Sequence, residues 1–290
     1  GARGLAHIGA IEVLEERGYR ISGIAGSSMG ALVGGIHAAG KLADYRDWAC
    51  SLQRSDVLRL LDFAFGHPGL IKGERVIGVL RELVGQHDIE QLPLPYVAVA
   101  TDLEAQREIW LTRGPLFDAI RASIAIPMIF TPHRVQGREL VDGGLLSPVP
   151  IAATRLLHAD RVIAVDINAR SARPLPAPEA DEAEPAREMA AIDAEPAGNG
   201  FRARIASLME GFAERRAATR REAAAQPGLI DLMSRALDTM QGQMSRMQLA
   251  LDPPDLLIRI PRDACLFYEY WRARELIDIG REAAERALDD

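Results

Sequence analysis

"IAGSSMGALVGG", Ile24 to Gly35, sets a serine between two glycines where an apolar run gives way to small, helix-tolerant residues. In G-x-S-x-G at a strand-to-helix turn, the serine sits on a tight elbow that holds its hydroxyl above the carboxyl ends of the strands. The flanking glycines are needed because side chains there would clash. Gly26, Ser27, Ser28, Met29 and Gly30 fit that pattern, with Ser28 at its centre. The following helix points its N-terminal amides at the same place, where developing negative charge is favoured. Taken alone, the stretch is also compatible with an ordinary turn.

Around it, the chain alternates between two periods. Apolar residues at Leu5, Ile8, Ile11 and Leu14 give a helix from Gly4 to Arg17, and "RISGIAG" (20–26) reads as a short strand. Met29 to Ala39 reads as a helix, as do Asp44–Gln53, Gly73–Leu83 and Pro115–Ser123. "YVAVATDL" (96–103) and "EIWLT" (108–112) read as strands joined by a hairpin turn at "AQR" (105–107), and "RELVDGG" (138–144) as a strand ending in a glycine turn. Pro150–His158 is predicted helical and "RVIAVDIN" (161–168) a buried strand. Strands alternating with helices predict an α/β fold, with a mostly parallel central sheet flanked by helices on both faces.

From Ser171 to Gly200 the chain is rich in Pro, Ala and Glu and nearly devoid of large apolar residues, which predicts a disordered acidic insertion. Beyond it, helices are predicted over Phe201–Arg221 and Leu229–Leu249, then a strand "DLLIRI" (255–260) and a helix over Tyr268–Leu288. These residues, 201–290, complete the same sheet in a single domain spanning 1–290. Met233, Leu237, Met240, Met244, Met247 and Leu251 form one helical stripe, read as packing on the core, with an adaptable lipid- or partner-binding surface as the alternative.

Bulk properties exclude several classes. A net charge of -7 argues against a general nucleic-acid binder. No apolar run reaches the roughly 18 uncharged residues of a spanning helix. Cys50 and Cys265 lie far apart without Cys or His neighbours at ligand spacing, so they read as buried free thiols, with neither a metal site nor a disulfide framework. The chain opens at Gly1 without methionine or an initial strand, so the N-terminus reads as trimmed and any targeting segment escapes judgement.

A serine hydroxyl needs a base, and its tetrahedral intermediate needs preorganised donors. "LVDGG" places Asp142 at a strand end before Gly143 and Gly144, where a carboxylate can be held against a neighbouring loop; a solvated turn carboxylate is the plainer reading. His158 follows Asp142 in the usual hydrolase order, but at a helix end that leads away into a strand. At the start, "GARG" puts glycines on the N-terminus of the first helix, where amides could face an oxyanion.

The trio "GARG" (1–4), "GSSMG" (26–30) and "DGG" (142–144) resembles the patatin-like phospholipase family in its bacterial branch. That family carries a G-G-G-x-R-G oxyanion loop, a G-x-S-x-G elbow and a D-G-[AG] motif in this order. "GLAHIGAIEVLEERG", "RASIAIPMIFTP" and "LALDPPDLLIRI" are similar too, so the resemblance covers most of the chain outside the acidic stretch. It implies a three-layer sandwich and a Ser-Asp dyad acting as an acyl hydrolase without histidine or cofactor. By position, Ser28 would be the nucleophile and Asp142 the general base, with amides around Gly1, Arg3 and Gly4 binding the oxyanion. The implied substrate is a lipid acyl ester: a phospholipid, lysophospholipid or fatty ester. A cytoplasmic setting with weak peripheral membrane contact follows as an expectation, with the oligomeric state open. Three alternatives stand beside this reading: a noncatalytic scaffold keeping the fold, a nucleotide-binding domain using "GARG" as the end of a glycine-rich loop, and a hydrolase whose base is His158.

Overall fold

The computed structural model describes residues 1–62, 71–169 and 229–289. The chain divides into one unit formed by Gly1–Arg173 with Ala236–Asp290, and a second of Pro174–Arg235. Everything below concerns the first. The expected insertion over 171–200 and helix over 201–221 lie outside the described residues.

One strand organises the rest. β2 (Tyr96–Asp102) is buried at every position, as its valine- and alanine-rich sequence demands of a strand covered on both faces. Alternate side chains feed different cores. Tyr96, Ala98 and Ala100 join the larger cluster, which includes Leu5, Ile8, Leu32, Ile36, Leu80 and Ile120. Val97 and Val99 face the other way, onto Ala153 and Leu157.

β1 (Ile24–Ser27) pairs parallel with the first half of β2, from Ile24 opposite Tyr96 to Ser27 opposite Val99. β3 (Arg107–Leu111) and β5 (Arg138–Asp142) pair with it antiparallel, and β4 (His133–Val135) extends β5 antiparallel. The sheet is therefore mixed, in the order β1-β2-β5-β4 with β3 also on β2, rather than mostly parallel. For the β2–β3 and β4–β5 pairs the reason is connection length. Residues 103–106 and 136–137 are too short for the crossover that parallel pairing needs, so they close hairpins. A second sheet pairs β6 (Ile163–Ala169) parallel with β7 (Leu256–Pro261).

Helices cover the sheet on both faces. α1 (Ala6–Glu16) follows a 3-10 turn, Ala2–Leu5, so the expected first helix starts in a tighter coil. α2 (Met29–Ala38) is almost wholly buried, and its glycines let it lie close to the sheet, with Gly34 against Ile24 and Gly35 near Tyr96. α3 (Leu42–Ser51), a short unforeseen α4 (Arg54–Leu60), α5 (Glu74–Val84) and α6 (Leu116–Ser123) complete that layer. On the other face, α7 shrinks from the expected 150–158 to Ile151–Thr154.

Helix α8 spans Leu229–Leu251, and α9 (Ala273–Asp289) packs along α1. Within the first unit, α8 reverses the expected orientation of its stripe. Gly242 and Ser245 are buried, while Met240, Met247 and Leu251 are exposed. Two contacts hold its inward polar face: Gln248 Nε2 donates to the Leu146 carbonyl at 2.9 Å, and Asp238 pairs with Arg3. Most of the methionine stripe is therefore not core, with only Leu237 and Met244 half-buried. The two free cysteines are half-buried rather than buried.

Candidate active site

Strand register brings the two motifs together. β3 occupies one edge of β2 along residues 98–102, so β1 and β5 share the other edge. β1 runs up that edge and ends with Ser27 opposite Val99; β5 runs down it and ends with Asp142 opposite Ala100. Two chain ends thus meet head-on at consecutive β2 residues, about 3.3 Å apart along the strand. The separation of 114 residues in sequence between Ser28 and Asp142 disappears in space.

Ser28 is the N-cap of α2 and has φ 54° and ψ -125°, a conformation a non-glycine residue adopts at a cost of about 1–3 kcal/mol. Gly26 permits the elbow: a Cβ there would lie 2.3 Å from the Gly30 carbonyl carbon, so the helix start can fold back over the strand only onto a bare Cα. Gly30 differs from expectation. A Cβ on it would meet only His7 Nε2, at 3.6 Å, an ordinary contact, so crowding does not require glycine there.

Asp142 is 1% exposed. Its Oδ1 accepts from the Gly144 amide at 2.7 Å, closing the turn Gly143–Leu145. Gly143 fits against the Val99 carbonyl, which would be 2.1 Å from a Cβ at that residue. Burial pushes the Asp142 carboxyl up from 3.8 to about 6, against the pull of the Ser28 hydroxyl and the Gly144 amide. Asp142 Oδ2 has no partner that meets strict hydrogen-bond geometry. A hydroxyl near enough to favour the charged carboxylate, yet not aligned on it, is usual for an unliganded nucleophile and base.

The residues of "GARG" take different roles. The Gly4 amide donates to the Gly1 carbonyl at 3.0 Å and the Ala2 amide to the Phe267 carbonyl at 2.8 Å, so both are committed. The Arg3 and Met29 amides have no acceptor among the described residues. Arg3's side chain turns away, donating to the Arg262 carbonyl at 2.7 Å and pairing with Asp238 of α8 at 2.9 Å. Gly4 packs on Met29, where a Cβ would fall 2.1 Å from the methionine Cβ; this seats the turn on the residue after Ser28.

No histidine among the described residues is hydrogen-bonded to Ser28 or Asp142. His158 is exposed in the connection between α7 and β6, with φ 45°. His7 is half-buried, with Nδ1 2.8 Å from the Gly4 carbonyl, which requires the proton on Nδ1. Burial holds its pKa down, which keeps it a neutral brace for the turn. Sequence reading missed that role, and also Ser123, whose hydroxyl bonds the Ser28 amide. The signal for Ser123 was one hydroxyl inside the apolar run "AIRASIAI".

From Ser28 an apolar pocket leads between the helices, lined by Leu32, Trp48, Leu52, Val57, Val76, Leu80, Ile126 and Phe130 among others. Arg121, buried beside it, fastens two wall segments by donating from Nε to the Lys72 carbonyl at 2.8 Å and from a terminal nitrogen to the Thr131 carbonyl at 2.9 Å. Such a channel accepts a flexible hydrocarbon and offers a head group little.

The family model described as patatin-like phospholipase matches residues 1–155. An uncharacterized NTE family protein of Mycobacterium tuberculosis is 42% identical over 325 aligned positions, covering 100% of this chain and 89% of that protein. Patatin-like phospholipase domain-containing protein 6 of Homo sapiens is 30% identical over 178 positions, 59% of this chain and 13% of that protein. Among solved structures, VipD from Legionella pneumophila aligns with 100% of this chain and 65% of its own, at 15% identity and a TM-score of 0.43.

Proposed function

This chain belongs to the patatin-like phospholipase family, and from that premise we propose that it is a serine acyl hydrolase cleaving lipid carboxylic esters through Ser28 and Asp142. The observation that carries the reading is the meeting of the strand ends that hold them, Ser27 opposite Val99 and Asp142 opposite Ala100 of β2, with Ser28 lining an apolar pocket.

Ser28 Oγ attacks the ester carbonyl carbon while its proton passes to Asp142 Oδ2, the oxygen left without a partner. Burial raises the affinity of that carboxylate for a proton, which makes the transfer feasible near neutral pH. The negative charge that develops on the carbonyl oxygen falls to the Met29 and Arg3 amides, which takes Gly4 out of the donor set. The tetrahedral intermediate collapses, the alcohol leaves with the proton from Asp142, and acyl-Ser28 remains. Water, deprotonated by the same carboxylate, attacks the acyl carbon and frees the acid and the serine.

The fatty chain occupies the pocket, so selectivity belongs to the acyl group. Weak contact with a membrane surface follows from such a substrate; sedimentation with liposomes checks it. The main test is hydrolysis of p-nitrophenyl esters from acetate to palmitate, and of phospholipid and lysophospholipid vesicles, by the wild type and by Ser28→Ala. Hydrolysis by the wild type alone is expected, rising with chain length. A folded wild type inert on the whole panel would favour the noncatalytic alternative.

A further inference from the structure

Resting on that reading of Ser28 and Asp142, we infer that Ser123 is a positioning residue, and that the segment Ser123–Ala125 gauges the distance between nucleophile and base. Strand register fixes Ser27 and Asp142, but Ser28 lies one residue beyond the last paired position of β1. Its strained backbone therefore needs a hold other than the ladder.

Ser123 supplies it. The residue ends α6 and is fully buried, and a hydroxyl in that setting is costly unless both its donor and acceptor capacity are used. Its Oγ donates to the Val99 carbonyl at 2.6 Å and accepts the Ser28 amide at 2.9 Å. The first bond aims the hydroxyl hydrogen at β2 and leaves a lone pair toward the elbow. Rotating the hydroxyl would cost both.

Two residues further on, the Ala125 carbonyl accepts the Asp142 amide at 3.0 Å. Two residues of this three-residue segment thus receive the backbone N–H groups of both members of the dyad. The Val99 carbonyl closes the figure, since it takes the Ser123 hydroxyl and is also the surface on which Gly143 rests. A shift at Ser123 would move Ser28 relative to Asp142 while leaving the pocket walls in place. Misplacement of reacting groups by about 1 Å costs on the order of a hundredfold in rate.

The test compares Ser123→Ala, Ser123→Cys and, as a control, Ile120→Val, a buried change on the same helix that touches neither motif. Each is assayed well below its own melting temperature for kcat and KM on a medium-chain p-nitrophenyl ester, and for hydrogen exchange at the Ser28 amide. For Ser123→Ala, kcat is expected to fall about 10- to 100-fold with KM within about threefold, and the Ser28 amide to exchange faster. Ser123→Cys, a weaker donor and acceptor at the same place, is expected between it and the wild type, with Ile120→Val keeping wild-type kcat and exchange. An unchanged kcat in both Ser123 variants, an unchanged Ser28 exchange rate, or an equal kcat loss in Ile120→Val overturns the proposal. Absence of hydrolysis by the wild type would instead refute the functional reading, and the exchange measurement would still decide whether Ser123 holds the elbow. If the alanine variant does not fold, the cysteine variant decides alone.

Discussion

Around Ser28 and Asp142, position is held by backbone: register on β2, amides taken up by Ser123 and Ala125, and bare glycine surfaces at Gly26 and Gly143. Along the pocket, position is held mainly by side-chain volume, from leucine, isoleucine, valine and aromatic groups on several helices, with Arg121 tying two wall segments from behind. The first region has no slack, because a backbone contact cannot rearrange. The second can repack around a different neighbour, as apolar cores do. Chemistry and selectivity should therefore respond differently to substitution.

The largest effect is expected at the reacting atoms. Ser28→Ala should lower ester hydrolysis by about 10⁴-fold or more, and Asp142→Asn by a comparable factor, both measured on protein shown folded by circular dichroism. Full activity in either would remove that residue from the mechanism.

Next comes backbone crowding. Gly26→Ala should cost about 4 kcal/mol or prevent folding, because the added carbon has only main chain to displace. Denaturant titration checks this, and a stable Gly26→Ala protein would mean that the elbow has room.

Asp142→Asn should also stabilise the fold at high pH. The folded carboxyl has its pKa raised from 3.8 to about 6, so folding favours the protonated form and stability is lost as pH climbs through that window. Asparagine escapes the loss and keeps an oxygen for the Gly144 amide, so a gain of roughly 2–3 kcal/mol is expected at pH 8 and little at pH 4. For the wild type, the same base predicts that kcat/KM falls about tenfold per pH unit below about 6. A rate flat from pH 4 to 8 would deny Asp142 the role of base.

In the pocket, Val76→Phe should cut kcat/KM for a palmitate ester about tenfold and leave acetate within threefold. Equal losses on both substrates would mean that the pocket does not hold the acyl chain. Smallest of all is Gly30→Ala, where the space is open and alanine is the better helix former; stability should change by less than about 1 kcal/mol.

Features encoded within a few residues were legible in the sequence. The elbow and the "DGG" turn could be read because glycines flanking a chemically active side chain describe a local conformation, and β2 announced itself by composition. Direction of pairing was legible only where a short hairpin set it, between β2 and β3. The antiparallel β5 takes the length of the β2 edge that β1 stops short of, at Ala100–Asp102, which only the assembled sheet decides. Helix α8 showed its stripe plainly but not which face would be inward, because that turned on acceptors at Leu146, a hundred residues away. Ser123 was hidden for the same reason, since its partners are Ser28 and Val99.

The most direct measurement is covalent capture: intact-mass and peptide mapping after reaction with a long-chain fluorophosphonate, for the wild type and Asp142→Asn. The account predicts one adduct on Ser28 in the wild type, formed at least a hundredfold more slowly in Asp142→Asn. An adduct on another residue, or equal labelling rates in the two proteins, would contradict it.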